Sequence, residues 1–98
     1  MISNGAKNEM EKLVKEALKK YLKSIGAYYF MPVQTGYGAS TIDFLVCYKG
    51  RFYGIETKDG AKRATPRQTE VLRLIAVAGG GTWVENSSAL ETTREKLK

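Results

Sequence analysis

The sequence predicts an α/β fold in the order α-β-β-β-α-β-α, a mixed four-stranded sheet flanked by helices. Three observations carry this expectation. Apolar residues recur at helical spacing over residues 8–25. Two β-rich runs, Thr41 to Tyr48 and Arg51 to Lys58, flank Lys49-Gly50 and read as a hairpin. A second helical stretch after Thr65-Pro66 is followed by three glycines and one more short strand. A strand reached through a crossover helix joins the sheet parallel to a neighbour, while residues 28–58 form an antiparallel meander.

Each element has a local reason. In the first helix Met10, Leu13, Val14, Ala17, Leu18, Tyr21, Leu22 and Ile25 share one face, and Gly26 stands where a C-terminal glycine belongs. Ala27 to Val33 is a short aromatic strand, and Pro32 puts its end at a sheet edge or bulge. Gln34 to Ser40 is a loop of small residues. Thr65 is an N-cap with Pro66 at the first helical position. That helix runs from about 66 to 78 with Val71, Leu72, Ile75, Ala76 and Ala78 apolar, and Gly79-Gly80-Gly81 ends it. Thr82 to Glu85 is the fourth strand, and Ser87 or Ser88 is the cap candidate for a last charged helix to about Leu97.

Composition narrows the chemistry. A chain of 98 residues, 43% hydrophobic and 27% charged, reads as one globular domain, 1–98. It contains no His and a single Cys, Cys47, which excludes imidazole catalysis, an internal disulfide and any Cys- or His-built zinc site. Mid-strand among apolar neighbours, Cys47 reads as a core residue rather than a reactive thiol. Catalysis, if any, falls to carboxylates, Lys, Tyr, hydroxyls or an oxygen-bound metal. The net charge of +6 suits a polyanionic partner, nucleic acid above all, with solubility as the plainer reading. The excess lies in two blocks: six Lys against three Glu over residues 7–23, and Lys58, Lys62, Arg63, Arg67 and Arg73 against Asp59 and Glu70. No apolar run resembles a signal peptide or a membrane span, so an intracellular, cytoplasmic protein is expected.

Three charged residues sit inside the apolar strands: Asp43, Glu56 and Lys58. A two-residue turn at Lys49-Gly50 pairs Tyr48 with Arg51 and, by continuation, Asp43 with Glu56. Opposed residues share a face with Cβ atoms about 4.5–5.5 Å apart. Lys58 falls on that face too, with Leu45, Cys47, Phe52 and Gly54, while Ile42, Phe44, Val46, Tyr53 and Ile55 fall on the other. Adjacent carboxylates repel unless positive charge stands between them. Lys58 supplies part of it. A divalent cation supplies more, and Mg²⁺ takes one or two carboxylates with waters and substrate phosphate. The alternative is a salt-bridged triad that only stabilises the hairpin.

Asp43 followed by Glu56-Thr57-Lys58 resembles the D…(D/E)xK signature of the PD-(D/E)xK nuclease superfamily. More narrowly, residues 8–86 resemble the VRR-NUC (virus-type replication–repair nuclease) domain in its small stand-alone phage form. The family pattern runs from an early helical acid (Glu11) through a Gly-rich loop (Gly36 to Gly38), the strand Asp43 and a Gly-containing hairpin (Gly50) to E-x-K at Glu56 and Lys58. It continues with a basic loop (Lys62-Arg63), a helix carrying Gln68 and a glycine-rich stop before the last core strand. One departure is Ile42, where the family usually has Pro; it implies changed loop geometry rather than lost chemistry.

The resemblance implies a restriction-endonuclease-like core and a DNA endonuclease dependent on Mg²⁺ or Mn²⁺. Asp43 and Glu56 are then metal ligands, with the Thr57 backbone carbonyl as a third, and Lys58 orients the attacking water or stabilises developing charge. Glu11 serves the site, with Glu9 its competitor and a solvated helix Glu the plainer reading. Gln68 positions water or phosphate, or is an exposed helix Gln. Lys62, Arg63 and Arg67 contact phosphates, or only solubilise the surface. Tyr37 stacks on a base, or is a plain loop aromatic. Small one-domain members of the superfamily include junction-resolving enzymes, which implies a homodimer acting on branched DNA such as Holliday junctions or flaps. The competing function is a catalytically inactive basic module that binds nucleic acid without metal.

Overall fold

The computed structural model describes residues 2–33 and 41–98, with the side chains of the first helix described from Met10 onward. The elements are α1 (Ile2–Ser24), β1 (Tyr28–Phe30), β2 (Phe44–Tyr48), β3 (Arg51–Thr57), α2 (Pro66–Val77), β4 (Gly81–Glu85) and α3 (Glu91–Lys96). Their order is the expected one. The sheet runs β1-β2-β3-β4, with β1, β2 and β3 antiparallel in sequence and β4 parallel to β3. The mixed four-stranded sheet with flanking helices is therefore present.

Local chemistry explains the boundaries. At the end of α1, Ala27 N donates to Leu22 O and Gly26 N to Lys23 O, with Gly26 at φ 78°. That is a Schellman stop, which satisfies carbonyls the helix leaves open. Gly79 (φ 106°) ends α2 the same way, with Gly80 N reaching Ile75 O. The β2–β3 turn has both central residues left-handed, Lys49 at φ 51° and Gly50 at φ 78°. This twist suits a two-residue hairpin, and it sets Tyr48 opposite Arg51 and Phe44 opposite Ile55.

The main core lies on one face of the sheet. Leu18 and Leu22 of α1 pack on Phe44, Val46, Ile55 and Trp83, and Leu90 and Leu97 close it from either end of α3. A buried polar chain pins α3. Trp83 Nε1 donates to Thr93 Oγ1 (3.0 Å), which donates to Glu85 Oε1 (2.8 Å). Glu85, fully buried, also accepts from Thr93 N and Ser87 N.

Several local expectations change. Ordered β2 starts at Phe44, because the chain bends at Asp43. Strict alternation ends there, so Ile42 leaves the face of Phe44 and packs on the other side. A Cβ on Gly54 would lie 2.6 Å from Ile42 Cδ1 and 2.7 Å from Ile75 Cδ1, so only glycine lets α2 and Ile42 approach the sheet this closely. On that second face α2 packs over β3 and β4, and among the described residues no element packs over the β1–β2 half to the same extent. Cys47 is consequently exposed rather than a core residue, and Tyr28, Phe30 and Phe52 stand partly in solvent beside it. Neither Ser87 nor Ser88 caps the last helix. Ser87 closes a turn onto Ala89 and Leu90, and α3 starts after Leu90, held left-handed at φ 58° with its side chain buried.

Thr93→Val should test the buried chain. It keeps the shape while removing the partner of Trp83 Nε1 and one donor to Glu85. A loss of about 2 kcal/mol is expected in urea unfolding with an unchanged m-value.

Candidate active site

Three segments converge where β2 begins and β3 ends. The bend before β2 presents Asp43, the last turn of the β3 ladder presents Glu56 and Thr57, and Lys58 follows directly. α1 contributes Glu11 and Lys15 from the shoulder of its buried stripe, next to Val14 and Leu18.

Asp43 and Glu56 hold each other through the backbone. Asp43 N donates to Glu56 Oε1 (3.1 Å). In return Asp43 Oδ2 accepts from Thr57 N (3.1 Å) and from Thr57 Oγ1 (2.6 Å). The two residues are thus neighbours one step beyond the last ladder pair, with the bend turning the Asp43 carboxylate toward Thr57. The second oxygen of each carboxylate faces an ammonium group at a longer distance. Lys58 Nζ lies 3.8 Å from Glu56 Oε2, and Lys15 Nζ lies 3.9 Å from Asp43 Oδ1. These are ion contacts beyond hydrogen-bond range.

Electrostatics follows from the burial. Glu56 is 1% exposed. Burial, and secondarily the Asp43 charge, push its carboxyl up from 4.5 to about 7, against the pull of the Asp43 amide and Lys58. A carboxylate so placed favours either a proton or a nearby cation. Among the described residues no group of three or more His, Cys, Asp or Glu is set to hold a metal. Two carboxylates with hard oxygen donors nevertheless fit Mg²⁺, which completes its shell with water and substrate oxygens. The donor set does not suit a soft metal.

The other sequence candidates take distinct places. Glu11 accepts from Lys15 Nζ at 3.2 Å, so it reaches Asp43 through that lysine. The side chain of its competitor Glu9 lies outside the described residues. Gln68 closes a capping box: its Oε1 accepts from Thr65 N (2.9 Å) while Thr65 Oγ1 accepts from Gln68 N (3.2 Å). Its oxygen is therefore committed to starting α2. Lys62 and Arg63 are exposed in the β3–α2 connection, and Arg67 is exposed in the first turn of α2. Tyr37 and the Gly36–Gly38 loop lie outside the described residues.

Sequence reasoning passed over Lys15. Its spacing of four from Glu11 was the available signal, since it puts both on one helix face. The hydroxyl of Thr57, which grips Asp43, was also unmarked; the sequence pointed only to its backbone.

No protein-family model and no curated protein sequence matches the chain. A solved structure titled "VRR_NUC domain" does match it in three dimensions, with a TM-score of 0.75 over 91% of this chain and 98% of that one, at 18% identity. The fold is that of a VRR_NUC domain. In this chain the sheet and its crossover set Asp43, Glu56 and Lys58 at adjoining strand ends.

The raised carboxyl gives a pH test without substrate. A folded-state value near 7 against 4.5 means that the folded chain holds the Glu56 proton more tightly. Its stabilising contribution is complete below pH 4.5 and declines as pH rises through 7, by about 3 kcal/mol at most. Without divalent metal, Glu56→Gln should therefore flatten this decline and melt higher than the parent protein at pH 8. Added Mg²⁺ should raise the melting temperature of the parent at pH 8 and leave the variant where it was.

Proposed function

We propose that residues 1–98 act as one metal-dependent nuclease domain, an endonuclease that hydrolyses DNA phosphodiester bonds. The observation that carries this reading is the buried, reciprocally clasped pair Asp43–Glu56 with Lys58 beside it, on a VRR_NUC fold. Asp43 Oδ1 and Glu56 Oε2 are the oxygens offered to a cation, with the Thr57 carbonyl as the third donor. Bound Mg²⁺ or Mn²⁺ supplies Lewis acidity toward the scissile phosphate and lowers the pKa of a coordinated water.

The chain's own groups do the remainder. Lys58, 13% exposed at its side chain, orients the attacking water and offsets charge on the pentavalent phosphate. Glu11 acts through Lys15 on the orientation of Asp43. Gln68 holds the start of α2 with its oxygen and leaves its amide N–H groups for water or phosphate. Lys62, Arg63 and Arg67 contact phosphates, and Tyr37 stacks on a base. Among the described residues no helix is long and apolar enough to cross a membrane, and the reading places the protein in the cytoplasm with its DNA.

The substrate class follows from counting sites. One chain carries one carboxylate pair, whereas resolving a four-way junction requires two matched cuts. A two-fold homodimer supplies both. Apolar surface for it exists on the open half of the sheet, at Tyr28, Phe30 and Phe52, and on α2 at Leu74 and Val77. Val71, Leu72 and Ile75 of the same helix are half-buried, so they add little to that surface.

Cleavage of labelled DNA tests the chemistry. Asp43→Ala and Glu56→Ala should each lower the rate by about a hundredfold or more while leaving binding within about twofold. Undiminished cleavage by either variant at ordinary Mg²⁺ would sink the site assignment. A parent protein that binds DNA and never cuts it, with Mg²⁺ or Mn²⁺, is the inactive binding module instead.

Assembly is tested separately. Sedimentation at micromolar concentration should give a dimer that cuts a four-way junction faster than the matched linear duplex. Phe30→Asp with Phe52→Asp should yield a folded monomer that has lost that preference. A parent monomer cutting both substrates equally removes junction resolution and leaves the nuclease in place.

A further inference from the structure

The groove on the Met31 side of α1 has a composition that the carboxylate centre does not account for. About 340 Å³ in volume, it is lined by Glu11, Lys12, Lys15, Glu16, Lys19 and Met31. Lys12, Lys15 and Lys19 recur at helical spacing, so their ammonium groups line one side of the helix. Lys15 belongs to both places, since its Nζ lies 3.9 Å from Asp43 Oδ1. The groove therefore adjoins the candidate active site at Lys15.

We infer that this groove is a binding track for the sugar-phosphate backbone of the nucleic acid, continuous with the catalytic centre through Lys15. The inference rests on the nuclease reading only for the identity of the centre it adjoins. Among the described residues Lys12 makes no ion pair. The other two lysines are held by partners that cost little to leave. Lys15 pairs with Glu11 at 3.2 Å and Lys19 with Glu16 at 3.0 Å, all four side chains between 29% and 49% exposed. Exposed pairs of this kind contribute little to stability, so a phosphate can take over Lys19 from Glu16, while Lys15 keeps Glu11 and Asp43 and adds its charge to the track. The local field is also positive: Lys19, Lys12 and Lys20 together hold the Glu16 carboxyl below its usual range.

The track is on the opposite side of α1 from the basic loop. Met10 and Leu13, on the other flank of the helix, face Asp59 and Gly60 at the start of the segment that carries Lys62 and Arg63. Backbone phosphates on the two sides of a cleaved bond then have separate basic surfaces, one on α1 and one on the β3–α2 connection. Met31 gives the groove an apolar wall against which a sugar packs.

The test is binding of a fluorescein-labelled linear duplex in EDTA, measured by anisotropy across a salt series. Each phosphate contact contributes about −0.9 to the slope of log affinity against log salt. Lys12→Ala with Lys19→Ala should bind about tenfold more weakly and reduce the steepness of the slope by about 1.8. Lys12→Arg with Lys19→Arg should restore both, and Lys96→Ala with Lys98→Ala, which removes the same charge at the end of α3, should leave the slope unchanged. Thermal melts verify that every variant is folded. An unchanged slope in the Lys12/Lys19 alanine variant overturns the track, as does an equal loss in the Lys96/Lys98 control. Mg²⁺-dependent cleavage by the parent protein is scored independently. A parent that binds through Lys12 and Lys19 but never cuts keeps the track and loses the nuclease. A parent that cuts while the variant binds normally loses only the track.

Discussion

The reciprocal clasp between Asp43 and Glu56-Thr57 is the constraint on which the rest of the site depends. The hydrogen-bonded ladder of β2 and β3 ends at Phe44 and Ile55. Beyond it, side chains take over the pairing: the Asp43 amide donates to Glu56, and Asp43 accepts from the Thr57 amide and hydroxyl. The arrangement joins the strand ends but crowds two acids into little water, with Glu56 only 1% exposed. Desolvation and mutual repulsion then raise the affinity of Glu56 for any positive partner. The fold stabilises this strained electrostatics from outside, through the core beneath Ile55 and the α1 residues beside Asp43.

A second buried acid shows what an ordinary structural carboxylate looks like in the same sheet. Glu85 is one strand away, in register with Thr57. Its two oxygens accept from Thr93 N, Thr93 Oγ1 and Ser87 N, so hydrogen bonds alone satisfy it. Its work is to tie α3 to β4. Glu56 accepts one amide at Oε1, and its Oε2 has an ammonium only at 3.8 Å. The same residue type, equally buried, is saturated in one place and open to a cation in the other. That difference, more than burial, separates a structural acid from a candidate ligand.

Much of this was legible in the sequence because short-range chemistry decided it. A two-residue turn at Lys49-Gly50 sets the parity of both strands, which brought Asp43 and Glu56 together on paper. Thr65, Pro66 and Gln68 encode the start of α2, and Gly26 and Gly79 encode helix ends. What stayed hidden depends on distant packing. Alternation gives no sign that the chain bends at Asp43, so the side chosen by Ile42 could not be read. Coverage of a sheet face is likewise non-local: an apolar strand pattern looks the same whether α2 crosses it or stops short, and Cys47 is exposed for that reason. Lys15 reads as one more helix lysine until the tertiary fold brings Asp43 to it. Gln68 carried two meanings, and the capping box is a local one that residues 65–68 already spelled out.

The division of surfaces is a further consequence of small size. A chain of this length buries a smaller share of its surface than a larger domain does, so one face of a four-stranded sheet takes most of the available core residues. Here α1 and α3 complete that face. Helix α2, with no fully buried residue, shields chiefly the strands it connects. The open half of the second face keeps Tyr28 and Phe30 on an edge strand, next to exposed Cys47 and Phe52. Charge, by contrast, gathers at the strand ends, where the bend at Asp43 and the exit of β3 put carboxylates and lysines beside α1. The exposed apolar residues and the charged strand ends thereby lie on different parts of the molecule, and a second copy packed on the apolar half, as proposed above, would leave the carboxylate pair of each chain accessible.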